Sequence, residues 1–160
     1  QLHFLWLKRL SFSAEMFAKL NVLKRLQVLQ IEDCEQLNQI VQSLPVMPEL
    51  ATMRLEGRGD HWLDGRSIAA LAKQPKLRTL ELKSKDGLTL YPATENFAPK
   101  NGRPQHKLPI YDCRHELAEL RNVELLILEK PNWTREQLED FLLVVPKARA
   151  NSWARNKNGN

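Results

Sequence analysis

Four histidines and two cysteines are the residues of this 160-residue chain best suited to hold a metal or act as a nucleophile, and their spacing points to neither role. His3, His61, His106 and His115 are dispersed. Cys113-Arg114-His115 sets a thiol and an imidazole two positions apart, but no second pair completes the tetrahedral set that zinc takes. His61 near Asp60 and Asp64 is the other close approach. Gly57-Arg58-Gly59-Asp60 has a glycine pair but lacks the lysine or third glycine of a phosphate-cradling loop. Serine triads assemble in space, so spacing does not test for one, and no local nucleophile elbow singles out a serine. The carboxylates fall where strands end and on helix faces, where solvation accounts for them. The expectation is a protein that is not an enzyme and that uses no catalytic residue, metal or cofactor. Cys34 reads as a small apolar residue filling a turn, unreactive once buried.

What remains is binding, and composition narrows its kind. Hydrophobic residues make up 42% and charged residues 27%, an ordinary globular balance. Charges such as Lys8, Lys24 and Glu139 interrupt every apolar run, so no membrane span is expected. Two cysteines form at most one disulfide, which points to a reducing, intracellular setting in the cytoplasm or nucleus. Asn132-Trp133-Thr134 matches a glycosylation acceptor but reads better as a helix cap. The chain lacks an initiator Met, which suggests part of a larger polypeptide. Its charge of +5, from 24 Lys and Arg against 19 Asp and Glu, gathers in Lys83, Lys85, Lys100, Arg103 and Lys107 and in the tail Lys147, Arg149, Arg155 and Lys157. Those patches motivate an alternative partner, an RNA-associated complex.

The elements that must position any binding residues are visible as a repeat. Leu2-x-x-Leu5-x-Leu7, Leu26-x-x-Leu29-x-Ile31, Leu50-x-x-Met53-x-Leu55, Leu77-x-x-Leu80-x-Leu82 and Val123-x-x-Leu126-x-Leu128 share one pattern, with starts 24, 24, 27 and 46 residues apart. The last two apolar residues of each copy, two apart, point to one side of a short strand. Each strand thus hides one side only and needs its neighbours to complete a core.

Between the strands the apolar period becomes helical. Ala14, Phe17 and Ala18 with Leu20, Val22 and Leu23 follow Ser13, and Leu37, Ile40, Val41 and Leu44 fall at i, i+3, i+4, i+7. Ile68, Leu71 and Ala72 form a shorter stripe opened by Asp64 or Ser67. Thr134 and Gln137 form a capping box with Trp133 and Leu138 as a staple, before Leu138, Phe141, Leu142 and Val145. Pro48, Pro75 and Pro146 each stand two residues before an expected lead position, which predicts a degraded last unit Ala148-x-x-Asn151-x-Trp153. From Lys83 to Asn122 the pattern lapses, with a short strand expected at Leu88 to Tyr91 and a short helix at Asp112 to Leu120.

On these residues the chain resembles the leucine-rich repeat family over 2–82 and 123–145. Leu26-Gln27-Val28-Leu29-Gln30-Ile31-Glu32-Asp33-Cys34 is similar to the cysteine-containing type of F-box substrate receptors and plant intracellular immune receptors. The ninth residues of the other copies are Leu10, Arg58, Lys85 and Pro131. The resemblance implies an α/β fold, a leucine-rich repeat solenoid with short parallel strands on the concave face and helices on the convex face. Residues 1–153 would form it, with an irregular insertion at about 84–111 and a flexible tail at 154–160. It also implies partner binding on the concave surface, with substrate recognition in an F-box ubiquitin ligase as one version.

Residues alternating with the core leucines would face outward in columns. Phe4, Val28, Thr52, Thr79 and Leu125 form one, Trp6, Gln30, Arg54, Glu81 and Ile127 the next, and Lys8, Glu32, Glu56, Lys83 and Glu129 a third. The expected site for another protein or peptide is Phe4, Trp6, Gln30, Thr52, Arg54, Thr79, Glu81, Leu125 and Ile127. A structural module making contacts within a larger parent is a further alternative, as is mutual satisfaction of Arg54 and Glu81.

Overall fold

The structure, a computed structural model, describes residues 1–11, 14–34, 37–57, 63, 65–84, 114–129 and 135–151. Strands β1 (Phe4–Lys8), β2 (Val28–Glu32), β3 (Thr52–Gly57), β4 (Thr79–Ser84), β5 (Leu125–Glu129) and β6 (Ala148–Asn151) alternate with helices α1 (Ala14–Ala18), α2 (Leu37–Gln42), α3 (Gly65–Ala72), α4 (Arg114–Ala118) and α5 (Arg135–Val144). A 3-10 turn, Lys19–Val22, continues α1. The six strands form one sheet in chain order, and every neighbouring pair is parallel.

Burial follows the pleat. Leu29, Met53, Leu80 and Leu126 occupy adjacent rungs, as do Ile31, Leu55, Leu82 and Leu128, and all eight are buried. Phe17, Leu37, Ile40, Val41, Ile68, Leu71, Leu117 and Phe141 belong to the same core. Consecutive helices pack on one another in the order α1 to α5. Parallel sheets are ordinarily covered on both faces and read as continuous apolar runs. Here polar residues alternate with the leucines, because among the described residues helices cover one face and none covers the other.

The strands begin in the same way four times. The carbonyls of His3, Gln27, Ala51 and Arg78 each accept two successive amides of the next unit, at 2.8–3.0 Å; His3, for example, takes those of Gln27 and Val28. After β1 and β2 the chain leaves through left-handed residues, Arg9 at φ 54° and Asp33 at φ 53°. The Arg9 amide still reaches the Glu32 carbonyl, and that of Asp33 the Glu56 carbonyl, both at 2.9 Å. Behind the lead positions, side chains tie successive units together. The Gln74 amide oxygen accepts the Met47 N–H at 2.9 Å and its NH2 donates to the Pro45 carbonyl at 3.1 Å, while Asn122 donates to the Gln74 carbonyl at 3.5 Å. Lys147 donates its ammonium to the Leu120 carbonyl, and burial holds that ammonium below its ordinary value despite nearby Glu119.

Strand β4 pairs directly with β5, Leu80 opposite Leu126, so the long interval is a single crossover with no strand inserted between them. Of the insertion expected at about 84–111, only Ser84, which closes β4, is among the described residues. Residues 85–113 and the tail 152–160 lie outside the described residues, and with them the strand expected at Leu88 to Tyr91 and Trp153 of the expected last unit. The capping box at Thr134 and the staple at Trp133 also fall outside them.

Of the two residues expected to open helix α3, Asp64 lies outside the described residues, and Ser67 does not open it: the helix starts at Gly65, and Ser67 lies inside its first turn, where its buried hydroxyl donates to the Asn38 carbonyl at 3.3 Å. The last unit sits three residues earlier than the prolines implied. Ala148 lies opposite Leu126 and Ala150 opposite Leu128, which makes the unit Val145-x-x-Ala148-x-Ala150, with Val145 fully buried at the lead. The misleading landmark was Pro146. In this register it occupies the place of Glu124, whose amide joins the Arg78 clamp, and a proline has no amide to give. The polarity changes accordingly: the Leu126 amide donates to the Lys147 carbonyl at 3.0 Å.

Candidate interaction face

Because side chains alternate across a strand, the residues between the core leucines all emerge on the open face. The register aligns Phe4, Val28, Thr52, Thr79 and Leu125 in one column. The next holds Trp6, Gln30, Arg54, Glu81 and Ile127, and the third Lys8, Glu32, Glu56, Lys83 and Glu129. All nine residues expected at a binding site therefore share this face. Arg149 extends the middle column, a member the proline landmark concealed.

The face divides by chemistry. At the β1 end Phe4 and Trp6 are 48% and 51% exposed, and the Lys8 ammonium lies 5.2 Å from the Trp6 ring centre. At the β5 end Leu125 and Ile127 are half-buried. Between them lies a depression of about 90 Å³ lined by Gln30, Glu32, Arg54, Leu55, Glu56, Glu81 and Lys83.

The charges in and beside that depression are paired across strands. Lys8 meets Glu32 at 2.9 Å, and Arg54 meets Glu81 at 3.1 Å. Lys83 stands between Glu56 at 3.3 Å and Glu129 at 3.5 Å, one on each neighbouring strand. Arg54 and Glu81 thus satisfy each other. A half-exposed pair of this kind contributes roughly 0.2–1 kcal/mol to stability.

The carboxyls respond differently to their settings. Burial pushes Glu32 up, but the Lys8 hydrogen bond, the Gln30 amide and the Lys8 charge outweigh it and hold the group below its ordinary value. Burial lifts Glu81 above its ordinary value, Arg54 opposes the rise, and Glu129, hydrogen-bonded to it, adds to it. The two have opposite linkage. Glu32 supports folding above its unfolded value and ceases to as pH falls through its folded value. Glu81 favours folding at low pH and loses that contribution as pH rises through its folded value. In Lys8→Met, the Glu32 carboxyl is expected to titrate at higher pH, because the hydrogen bond and charge of Lys8 no longer help to hold it down. Carbon-detected NMR titration of that carboxyl checks this, and an unchanged midpoint would contradict the pairing.

Other residues singled out by type lie elsewhere. Cys34 is buried, its Sγ 3.4 Å from the Glu32 carbonyl, and burial raises its thiol. His115 is exposed on α4, while His61, His106 and Cys113 lie outside the described residues. No helix among the described residues is long and apolar enough to cross a membrane. Compared against protein families, curated proteins and solved structures, the chain matches none of them, so the geometry of the face carries the functional argument alone.

Proposed function

We propose that the chain is a protein-interaction module of leucine-rich-repeat type, a solenoid whose open sheet face is the concave, partner-binding surface. The observation that carries this reading is the open face itself: five strands in unbroken register, with apolar groups at both ends and an internally paired polar centre. Strand ladders hold side chains in place before a ligand arrives, which lowers the ordering cost of binding. Phe4 and Trp6 supply the larger anchor, Leu125 and Ile127 the smaller. Four inter-strand steps of about 4.8 Å separate the two anchors by roughly 19 Å. A partner must therefore present two apolar groups about that far apart, the span of some six extended residues, with polar groups between them.

The test is selection of a displayed random peptide library against the folded chain, followed by affinity measurement on variants. Selected peptides are expected to bind Trp6→Ala and Ile127→Arg at least tenfold more weakly, and Arg66→Ala, an exposed change on α3, equally well. Peptides indifferent to both face substitutions would overturn the proposal.

A further inference from the structure

Strands that run parallel in chain order require every helix to return the chain to the same end of the sheet. Five return segments therefore line one rim, 19–27, 43–51, 73–78, 119–124 and 145–147, all of them among the described residues. They hold eight of the 24 Lys and Arg but only three of the 19 Asp and Glu, which leaves 16 of each sign in the rest of the chain. The net charge of +5 therefore belongs to this rim. Along the sequence its members are scattered between Lys19 and Lys147, and only the parallel topology gathers them.

The rim's three carboxylates are already engaged. Glu49 meets Lys76 at 2.8 Å, Glu124 meets Arg78 at 3.0 Å, and Glu119 lies 3.9 Å from Arg121. Lys147 turns to the Leu120 carbonyl. That leaves Lys19, Lys24, Arg25 and Lys73, all exposed, with no carboxylate paired to them among the described residues; Arg25 donates to the Gln1 side-chain amide. At the opposite end of the strands Lys8, Arg9 and Lys83 each have a carboxylate partner. Lys24 and Arg25 border a depression of about 420 Å³ together with His3, Gln27 and Glu49.

We propose that the rim where the strands begin binds the phosphate backbone of a nucleic-acid duplex, without reading its base sequence or its sugar. A cationic edge is the electrostatic footprint of such binding. None of the five segments contains Phe, Trp or Tyr, so the rim has no platform on which unpaired bases could stack, as single-strand binding requires. Phosphates remain, and a duplex carries one charge per about 1.7 Å of its axis. Lys24 precedes β2 and Lys73 precedes β4, two strand steps or roughly 10 Å apart, a length over which a duplex presents about six phosphates. A fully acidic extended polypeptide presents one charge per about 3.3–3.6 Å, half that density. The rim lies at the strand ends and not on the open face, so this binding stands or falls separately from the function proposed above.

The probes are labelled duplexes of about 16 base pairs, one of RNA and one of DNA, followed by fluorescence anisotropy at 50 and 200 mM KCl. The expected result is saturable binding at the lower salt, with affinities for the two duplexes, and for a second base sequence, within threefold of each other. Raising the salt is expected to weaken binding roughly a hundredfold, as release of about four counterions requires. Lys24→Gln combined with Arg25→Gln should bind at least tenfold more weakly and lower the salt slope by about two, and Lys73→Gln, on a separate unit, should lower it by about one. Arg66→Gln, exposed on α3, should bind as the parent does. Absence of binding at 50 mM KCl, unchanged affinity in the rim variants that remain folded by circular dichroism, or an equal loss in Arg66→Gln would each overturn the proposal. So would displacement of the duplex by polyglutamate at equal charge concentration, which would assign the rim to an acidic polypeptide.

Discussion

Leu80→Ala is expected to lower folding stability by about 2–5 kcal/mol, the range for a fully buried leucine whose removal leaves a cavity. Leu80 lies between Met53 and Leu126 on adjacent rungs and has no exposed surface. Its loss removes the filler between two strand interfaces at once, and hydrogen-bonded strands on both sides limit how far the sheet can collapse around the void. Leu5→Ala removes the same atoms from the first rung, where the side chain is only partly buried, and should cost less, about 1–2 kcal/mol. Urea denaturation of both variants and the parent measures the difference. Equal costs would contradict a core built by stacking, in which an interior rung is enclosed on both sides and an end rung on one.

The second large effect is expected at Gln74, one of the few buried polar side chains among the described residues. Its amide accepts from the Met47 N–H and donates to the Pro45 carbonyl, so it serves two backbone groups of the preceding unit. Gln74→Leu keeps the approximate volume but leaves both groups without their partner. At about 1–3 kcal/mol for each buried group left unsatisfied, the total loss is roughly 2–6 kcal/mol. Gln74→Glu gives a sharper reading. An ionised carboxylate accepts from Met47 but repels the Pro45 carbonyl, whereas a protonated one donates to it. The folded state therefore favours the neutral acid, and the introduced group has a raised value. Its contribution is intact below the unfolded carboxylate range and is lost as pH rises through the folded value. Urea titrations at pH 5 and pH 8 should show the deficit relative to the parent widening at pH 8. A deficit independent of pH would show that the amide's donor and acceptor roles are not both used.

Strand placement was legible because its signal is local. Leu29 and Ile31, two apart and on one side of a strand, need only the pleat to fix their common direction. Recurrence of that spacing in β1 to β5 then aligned the outward columns without knowledge of the contacts. The last strand departs from the register that its proline predicts. Val145 fills the lead position, and the absent amide of Pro146 changes the hydrogen bonding there. The insertion was readable as a lapse in pattern, but only the pairing of Leu80 with Leu126 decided that the long interval is a single crossover.

For the candidate site, the residue types and their common face came from the amino-acid order, since alternation along a strand is a property of each segment alone. The paired or unpaired state of their charges did not. Arg54 and Glu81 are 27 positions apart, and their mutual neutralisation requires β3 to lie beside β4 at zero offset. The setting of Lys83 between Glu56 and Glu129 depends in the same way on which strands are neighbours. Periodicity along one strand dictates direction, whereas an ion pair is a distance between strands, and only the assembled sheet determines that distance.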